Sequence, residues 1–384
     1  MPGKVVVVLG AGIGGLAASN HLRSKLGKEH QIILVDRSPV SYLGASLTWL
    51  AMGLRRPENI SRDATKLAKR GVEFLQAEVM NIDVKARKIT TQTGEIKFDY
   101  LIISLGAELA PQAIPGLKEE AHSFYSMHDA SRLQSALNVF DGGKILLSIA
   151  SVPFKCPAAP YEGVLMLDYI LRRRGVRDRT EIAFTTPELC PLLLAGPVVS
   201  NRVQKMLLDR EILYKPNQKL SSVDGSNKLV HYADGSQAKY DLLITVPPHK
   251  SPNVVVNSKL GNEAGWIAVN RTTLETKAEN VYAIGDVTTV LLEAGMPLPK
   301  AGVFARGEGR QVAENLAAII NNKGKQTPYD ARGGCYMETG YGKAAYVSGR
   351  FYTTPTPSVK LLGPSLTWHV GKVVFETKWK TGWF

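Results

Sequence analysis

The run Lys4-Val5-Val6-Val7-Val8-Leu9 opens into Gly10-Ala11-Gly12-Ile13-Gly14-Gly15, and twenty-one residues past Gly15 the stretch Gln31-Ile32-Ile33-Leu34-Val35 closes on Asp36. This is a dinucleotide-binding βαβ fingerprint. Gly10 permits the tight turn out of a buried strand, Gly12 lets a pyrophosphate approach the backbone, and Gly15 lets the helix pack close to the sheet. The helix, with Leu16, Ala17, Leu22 and Leu26 apolar, offers amides and the positive end of its dipole to phosphates, and Asp36 is placed to accept from a ribose hydroxyl. A glycine triplet alone says little; here strand, helix and terminal acid all stand at the required spacing. The binding residues predicted are Gly10, Ala11, Gly12, Gly15, Asp36 and Arg37, with Val79 and Gly106 at the ends of later strands. Which dinucleotide binds, and for what chemistry, this motif leaves open.

At 384 residues the chain is long for a single hydrophobic core, so more than one domain is expected. The formal net charge of +13 favours anionic ligands, anionic lipid or nucleic acid. No long Lys/Arg run with interleaved aromatics occurs outside the last few residues, so the charge reads as dispersed and a nucleic-acid partner is not expected. The compact cluster Arg172-Arg173-Arg174, Arg177 and Arg179 follows a predicted helix, where cations suit the dipole. No apolar run is long enough for a spanning helix and no export signal is visible, which implies a cytoplasmic protein or one peripheral on a membrane. The three cysteines, Cys156, Cys190 and Cys335, form neither a disulfide framework nor a CxxC pair. No metal site is expected.

Strands alternate with helices through most of the chain, which implies parallel, doubly wound sheets. Residues 1–110 and 271–325 read as one discontinuous Rossmann-like domain, closed by Tyr282-Ala283-Ile284-Gly285-Asp286. Residues 111–270 read as a second, and 326–384 as a small C-terminal α+β segment. A helix is predicted over Asn59 to Arg70, and a hairpin around Thr93-Gly94. The second unit lacks the fingerprint. Its strand Lys144 to Ala150 leads into Ser151-Val152-Pro153-Phe154-Lys155-Cys156-Pro157-Ala158-Ala159-Pro160-Tyr161-Glu162, where prolines remove amide donors and side chains block a close approach by phosphate.

Several stretches together resemble the flavoproteins related to sulfide:quinone oxidoreductase and to the flavoprotein subunit of flavocytochrome c sulfide dehydrogenase. They are the opening fingerprint, Phe98-Asp99-Tyr100-Leu101-Ile102-Ile103-Ser104-Leu105-Gly106, the Lys155 to Glu162 stretch, Tyr282 to Asp286, Lys300-Ala301-Gly302 and Gly371 to Trp379. The resemblance implies FAD as the dinucleotide, with Asp286 at the ribityl chain or pyrophosphate and Lys300, Ala301 and Gly302 near the pyrimidine end of the flavin. It also implies sulfide oxidation through a redox-active pair, Cys156 and Cys335, with electrons passing to a quinone. Glu162 reads equally as a proton shuttle beside that pair or as a first-turn acid. Cys190 matches no cysteine of the family and reads as structural. Many quinone-reducing members carry a further cysteine where this chain has Tyr125-Ser126-Met127-His128. His122 and His128 stay outside the catalytic set. The C-terminal aromatics and lysines suit a short anchor on an anionic membrane surface, and equally packing onto the body or onto a homodimer partner. A cytochrome c partner, a type II NADH:quinone oxidoreductase and a flavin scaffold without turnover stay open as alternatives.

Overall fold

The computed structural model describes residues 3–384. In chain order its principal elements are β1 (Val5–Leu9), α1 (Ile13–Lys25), β2 (Gln31–Asp36), β3 (Glu73–Gln76) and β4 (Tyr100–Ile103). Then come β5 (Gly143–Ile149), α2 (Ala159–Arg173), β6 (Thr180–Thr185), α3 (Pro197–Leu208), β7 (Ile212–Lys215), β8 (Leu242–Val246), β9 (Val281–Ala283) and α4 (Gly302–Ile320). Last are β10 (Arg332–Gly340), β11 (Lys343–Arg350), β12 (Ser358–Ser365) and α5 (Leu366–Gly382). The first sheet has the order β9-β4-β1-β2-β3 and the second β7-β6-β5-β8. Every pairing in both is parallel.

Both sheets are covered on two faces, which is why their strands read as unbroken apolar runs. Val6, Val8, Ile32 and Leu34 pack with α1 and α4, whereas Val7, Leu9, Ile33 and Val35 face Ile82, Ile89 and Phe98 on the other side. The second sheet repeats this, with Ile145, Leu147 and Ile149 under α2 and Leu146 with Leu243 facing Val230 and Tyr240. The expected pair of doubly wound units is present. β9, distant in sequence, adds to the edge of the first sheet beside β4.

Two local expectations change. The segment predicted as one helix from Asn59 to Arg70 is broken: Ser61–Asp63 pairs as a strand with Val40–Tyr42, and Ala64–Arg70 winds as 3-10 helix. Strand pairing at Ser61 outweighs a helical periodicity that is weak over so few residues. The arginine cluster is also more than a dipole cap. Arg172, Arg177 and Arg210 converge on the buried carboxylate of Asp168 at 3.0, 2.9 and 2.8 Å. Arg174 donates to the carbonyls of Asn138 and Phe140.

The C-terminal part is a three-stranded antiparallel sheet, β10-β11-β12, followed by α5. α5 is amphipathic in the inverted sense. It buries Lys372, Glu376 and Trp379 while Leu366, Val370 and Val374 lie exposed. The last aromatics fold back: Phe384 packs edge-on against Trp379 at 5.1 Å, and the Trp383 carbonyl accepts from Asn20.

Candidate active site

The opening glycines are constrained one by one. Gly10 sits at φ +98°, and a Cβ there would lie 2.3 Å from the Ser104 carbonyl oxygen. A Cβ on Gly15 would lie 1.9 Å from the Gly10 carbonyl oxygen, so helix and strand approach as closely as glycine allows. Gly12 caps α1, and a Cβ there would meet nothing within 4 Å; Gly106, at φ +69°, opens likewise onto free space. Asp36 braces this loop from the end of β2. One carboxylate oxygen accepts from the Ala11 amide at 2.7 Å, the other from the Ser38 amide at 2.9 Å. Arg37 is exposed, and Val79 is half-buried in a strand paired with Thr91.

α4 brings a second helix N-terminus to the same place. Gly302, its first residue, lies against Ile13, the first residue of α1. Two sets of unbonded helix amides therefore converge, as anionic phosphates require. Beside them Asp286 has a buried carboxylate oxygen without a hydrogen-bond partner, and burial raises its proton affinity. An orphaned acceptor, an open glycine backbone and two helix N-termini fit a flavin dinucleotide. Lys300 differs in detail from the expectation. Its ammonium donates to the carbonyls of Asp286 and Thr288, both at 2.8 Å, and lies 3.6 Å over the Trp266 ring. Burial brings its pKa down to about 8. A cofactor beside Ala301 would feel the field of Lys300 rather than a free ammonium.

In the second unit, the loop after β5 carries Cys156 in a left-handed backbone conformation, φ +54°. Its amide donates to the Lys300 carbonyl at 2.6 Å and its carbonyl accepts from the Ala159 amide at 2.8 Å, which pins it between the first unit and the start of α2. Cys335 lies on β10, opposite Val347. The fold brings these two cysteines, 179 residues apart, within electrostatic range of each other. Both are free thiols, as is Cys190. Burial is the main influence on both: it pushes the Cys156 thiol strongly up and the Cys335 thiol to about 11. Glu162 adds to the rise at each and Lys372 opposes it. Cys190 sits apart, 3.4 Å from the Ser200 hydroxyl.

Glu162 occupies the first turn of α2, and its charge raises the proton affinity of both thiols. It is buried and fully engaged. Lys372 donates to one oxygen at 2.8 Å, the Glu338 amide to the other at 2.9 Å, and the Thr48 hydroxyl also donates. Sequence reasoning did not single out Lys372, Glu338, His369, Arg55 or Trp49 as parts of this site. Arg55 and Lys372 cover the Trp49 ring at 4.3 and 4.4 Å, and Arg55 pairs with Glu376 at 3.0 Å. No signal in the sequence pointed to them, because α5 has the composition of an ordinary solvated helix face. His128 is exposed, and the buried Nδ1 of His122 lacks a partner.

A family model described as pyridine nucleotide-disulphide oxidoreductase matches residues 4–309. The chain is 30% identical over 341 residues to the sulfide-quinone reductase of Aquifex aeolicus (strain VF5), covering 85% of this chain and 79% of that one. It is 26% identical over 351 residues to the mitochondrial sulfide:quinone oxidoreductase of Mus musculus, covering 88% and 76%. The X-ray structure of the sulfide:quinone oxidoreductase from the hyperthermophilic bacterium Aquifex aeolicus superposes with a TM-score of 0.87 at 25% identity, over 98% of this chain and 90% of that one.

Proposed function

The chain belongs to the pyridine nucleotide-disulphide oxidoreductase family and to its sulfide-quinone reductase branch, and we propose that it oxidises sulfide through Cys156 and Cys335 and passes the electrons by way of FAD to a quinone. The observation that carries this reading is the bond from the Glu338 amide to Glu162 at 2.9 Å, which ties β10, with Cys335 on it, to the start of α2 just past Cys156, in a unit whose phosphate cradle has been replaced. FAD, when bound, supplies a two-electron acceptor for the cysteines and a donor for the quinone. The protein holds it through the amides at Gly12 and Gly302, the open backbone at Gly106 and the unpartnered oxygen of Asp286, which suits a ribityl hydroxyl.

In the oxidised protein the two sulfurs form a disulfide. Hydrosulfide attacks Sγ of Cys156; a new S–S bond forms as the Cys156–Cys335 bond breaks, and Cys335 leaves with the electron pair as a thiolate. Burial resists charge at that sulfur, and Lys372 favours it. Lys300 and the bridge between Lys155 and Lys300 keep the cysteine loop against the cofactor side. The domain division at residues 110, 270 and 325 belongs to this reading, since it separates the FAD unit from the unit that carries Cys156.

No helix among the described residues is long and apolar enough to cross a membrane. A peripheral contact is proposed instead, through the stripe Leu366, Val370 and Val374 on α5. The terminal aromatics, packed inward, are not its anchors. Charging the stripe with Val370→Asp and Val374→Asp should release the protein from anionic vesicles in a sedimentation assay.

The test of the central reading is anaerobic mixing with sulfide, which should bleach the flavin band. A Cys156→Ser variant bleached as fast as the parent would overturn the mechanism. Rapid bleaching by NADH would favour nicotinamide as the donor.

A further inference from the structure

Beneath α5 the protein buries two carboxylates against one fixed cation. Glu162 and Glu338 are 4% and 1% exposed and Lys372 is 2% exposed. Lys372 is in contact with Glu162, which gives that carboxylate its counter-ion. Glu338 has no lysine or arginine in contact among the described residues. Its carboxylate meets His369 Nδ1, at 2.9 Å from one oxygen and 3.1 Å from the other. A buried charge left without compensation is costly, so two carboxylates over one ammonium are balanced when the Glu338–His369 pair holds a proton. Burial raises the proton affinity of Glu338 and Lys372 lowers it, with His369.

The pair runs from a buried carboxylate to a partly exposed imidazole. On the inner side the Glu338 amide is bonded to Glu162, whose charge is felt at both thiols. On the outer side the His369 side chain is 29% exposed, at the edge of the exposed stripe of α5. Trp49 lies edge-on to the imidazole at 6.2 Å, with Arg55 and Lys372 on its ring. Arg55 is committed to Glu376, which also has Lys380 at 3.6 Å, so neither arginine nor that lysine compensates Glu338.

We propose that Glu338 and His369 form the proton port of the cysteine site, taking a proton from solvent when negative charge arrives at Cys156 and Cys335 and returning it when that charge leaves. The inference rests on the redox pairing of these cysteines but does not require sulfide as the donor. The step balances without a further reactant. Hydrosulfide brings one negative charge as it forms the bond to Cys156 and Cys335 departs as thiolate, and the port binds one solvent proton to match it. Glu338 and His369 are positioning residues: they act through Glu162 and touch neither sulfur nor sulfide.

The experiment uses anaerobically prereduced holoenzyme and follows iodoacetamide labelling of Cys335 against pH by mass spectrometry, alongside His369 titration by NMR in the disulfide and dithiol forms. In the parent, the labelling profile should break where His369 titrates, and that midpoint should rise on reduction of the disulfide. Glu338→Gln keeps the shape and removes the charge. It should abolish the break and label faster than the parent above it, because a negative charge beside Glu162 is gone. His369→Gln, at a partly exposed site, should also abolish the break, and unchanged circular dichroism verifies its fold. A Glu338→Gln profile that superimposes on the parent's, or a His369 midpoint unmoved by reduction, overturns the proposal. If sulfide fails to bleach the flavin while the break and its loss are observed, the sulfide reading falls and the port stands.

Discussion

Lys372→Met and Glu162→Gln should move stability the same way and thiol reactivity in opposite ways. The two groups form an ion pair at 2.8 Å whose side chains are 3% and 6% exposed. Removing Lys372 leaves Glu162 buried without its counter-charge, which typically costs about 3–5 kcal/mol, whereas removing Glu162 leaves Lys372 the more distant charge of Glu338 and costs less. The double variant should recover most of that loss, because replacing a buried pair by neutral groups of similar volume is often close to neutral. Loss of Glu162 removes a charge that raises both thiols, so Cys156 and Cys335 should alkylate faster at a given pH; loss of Lys372 should slow them. Urea unfolding of the holoprotein and iodoacetamide labelling read the two effects separately. A Lys372→Met variant within about 1 kcal/mol of the parent, the range of exposed pairs, would refute the burial argument. Thiol rates moving in the same direction in both variants would refute the electrostatic one.

Gly15→Ala should yield protein without bound flavin, because the new Cβ would lie 1.9 Å from the Gly10 carbonyl oxygen, whereas Gly12→Ala, open on all sides, should fold and lose only cofactor affinity; the visible spectrum of purified protein and flavin titration distinguish them. Asp168→Ala should destabilise the second unit by about 3–5 kcal/mol, since three guanidinium groups lose a shared buried carboxylate, and denaturant unfolding measures it. For Cys335 the ordinary thiol value is 9.0 and burial takes the folded value to about 11. The unfolded chain therefore loses its proton first, and in the reduced protein the stability contributed by this thiol should decline as pH rises from about 9 to 11. A Cys335→Ala variant with the same decline in that window would show that another group causes it.

The opening fingerprint was legible because backbone sterics and phosphate geometry fix residue type there: Gly10 and Gly15 tolerate no Cβ, and Asp36 closes the loop onto Ala11. The degenerate second unit was legible for the converse reason, since prolines and Cys156 stand where amides and glycines are needed. The charged cluster under α5 was not. Lys372, Glu376 and His369 have the composition of an ordinary solvated helix face, and only tertiary contact with Glu162, Arg55 and Glu338 turns that face inward. The short strand Ser61–Asp63 was hidden in the same way, because its partner Val40–Tyr42 is supplied by another loop. Lys300 shows the limit at a single residue. Its neighbourhood was readable, but the two carbonyls and the indole that receive its ammonium were not.

The cysteine loop accounts for the missing cradle in physical terms. A dinucleotide site needs amides facing the ligand, yet Pro153, Pro157 and Pro160 have none to give, and the amide of Cys156 is bonded to the Lys300 carbonyl. The loop therefore works as a strut between the two units, with Lys155 and Lys300 bridged beside it. A strut at φ +54° is strained for a side chain and easy for glycine. Cys156→Gly should thus remove the sulfur while keeping the tie to Lys300, and Cys156→Val should lose both. If the strut is what holds the cysteine loop to the cofactor side, Cys156→Gly should bind FAD with parental affinity yet fail to react with sulfide, and Cys156→Val should bind it more weakly. Equal flavin affinity in the two variants would show that the tie contributes nothing to the cofactor site.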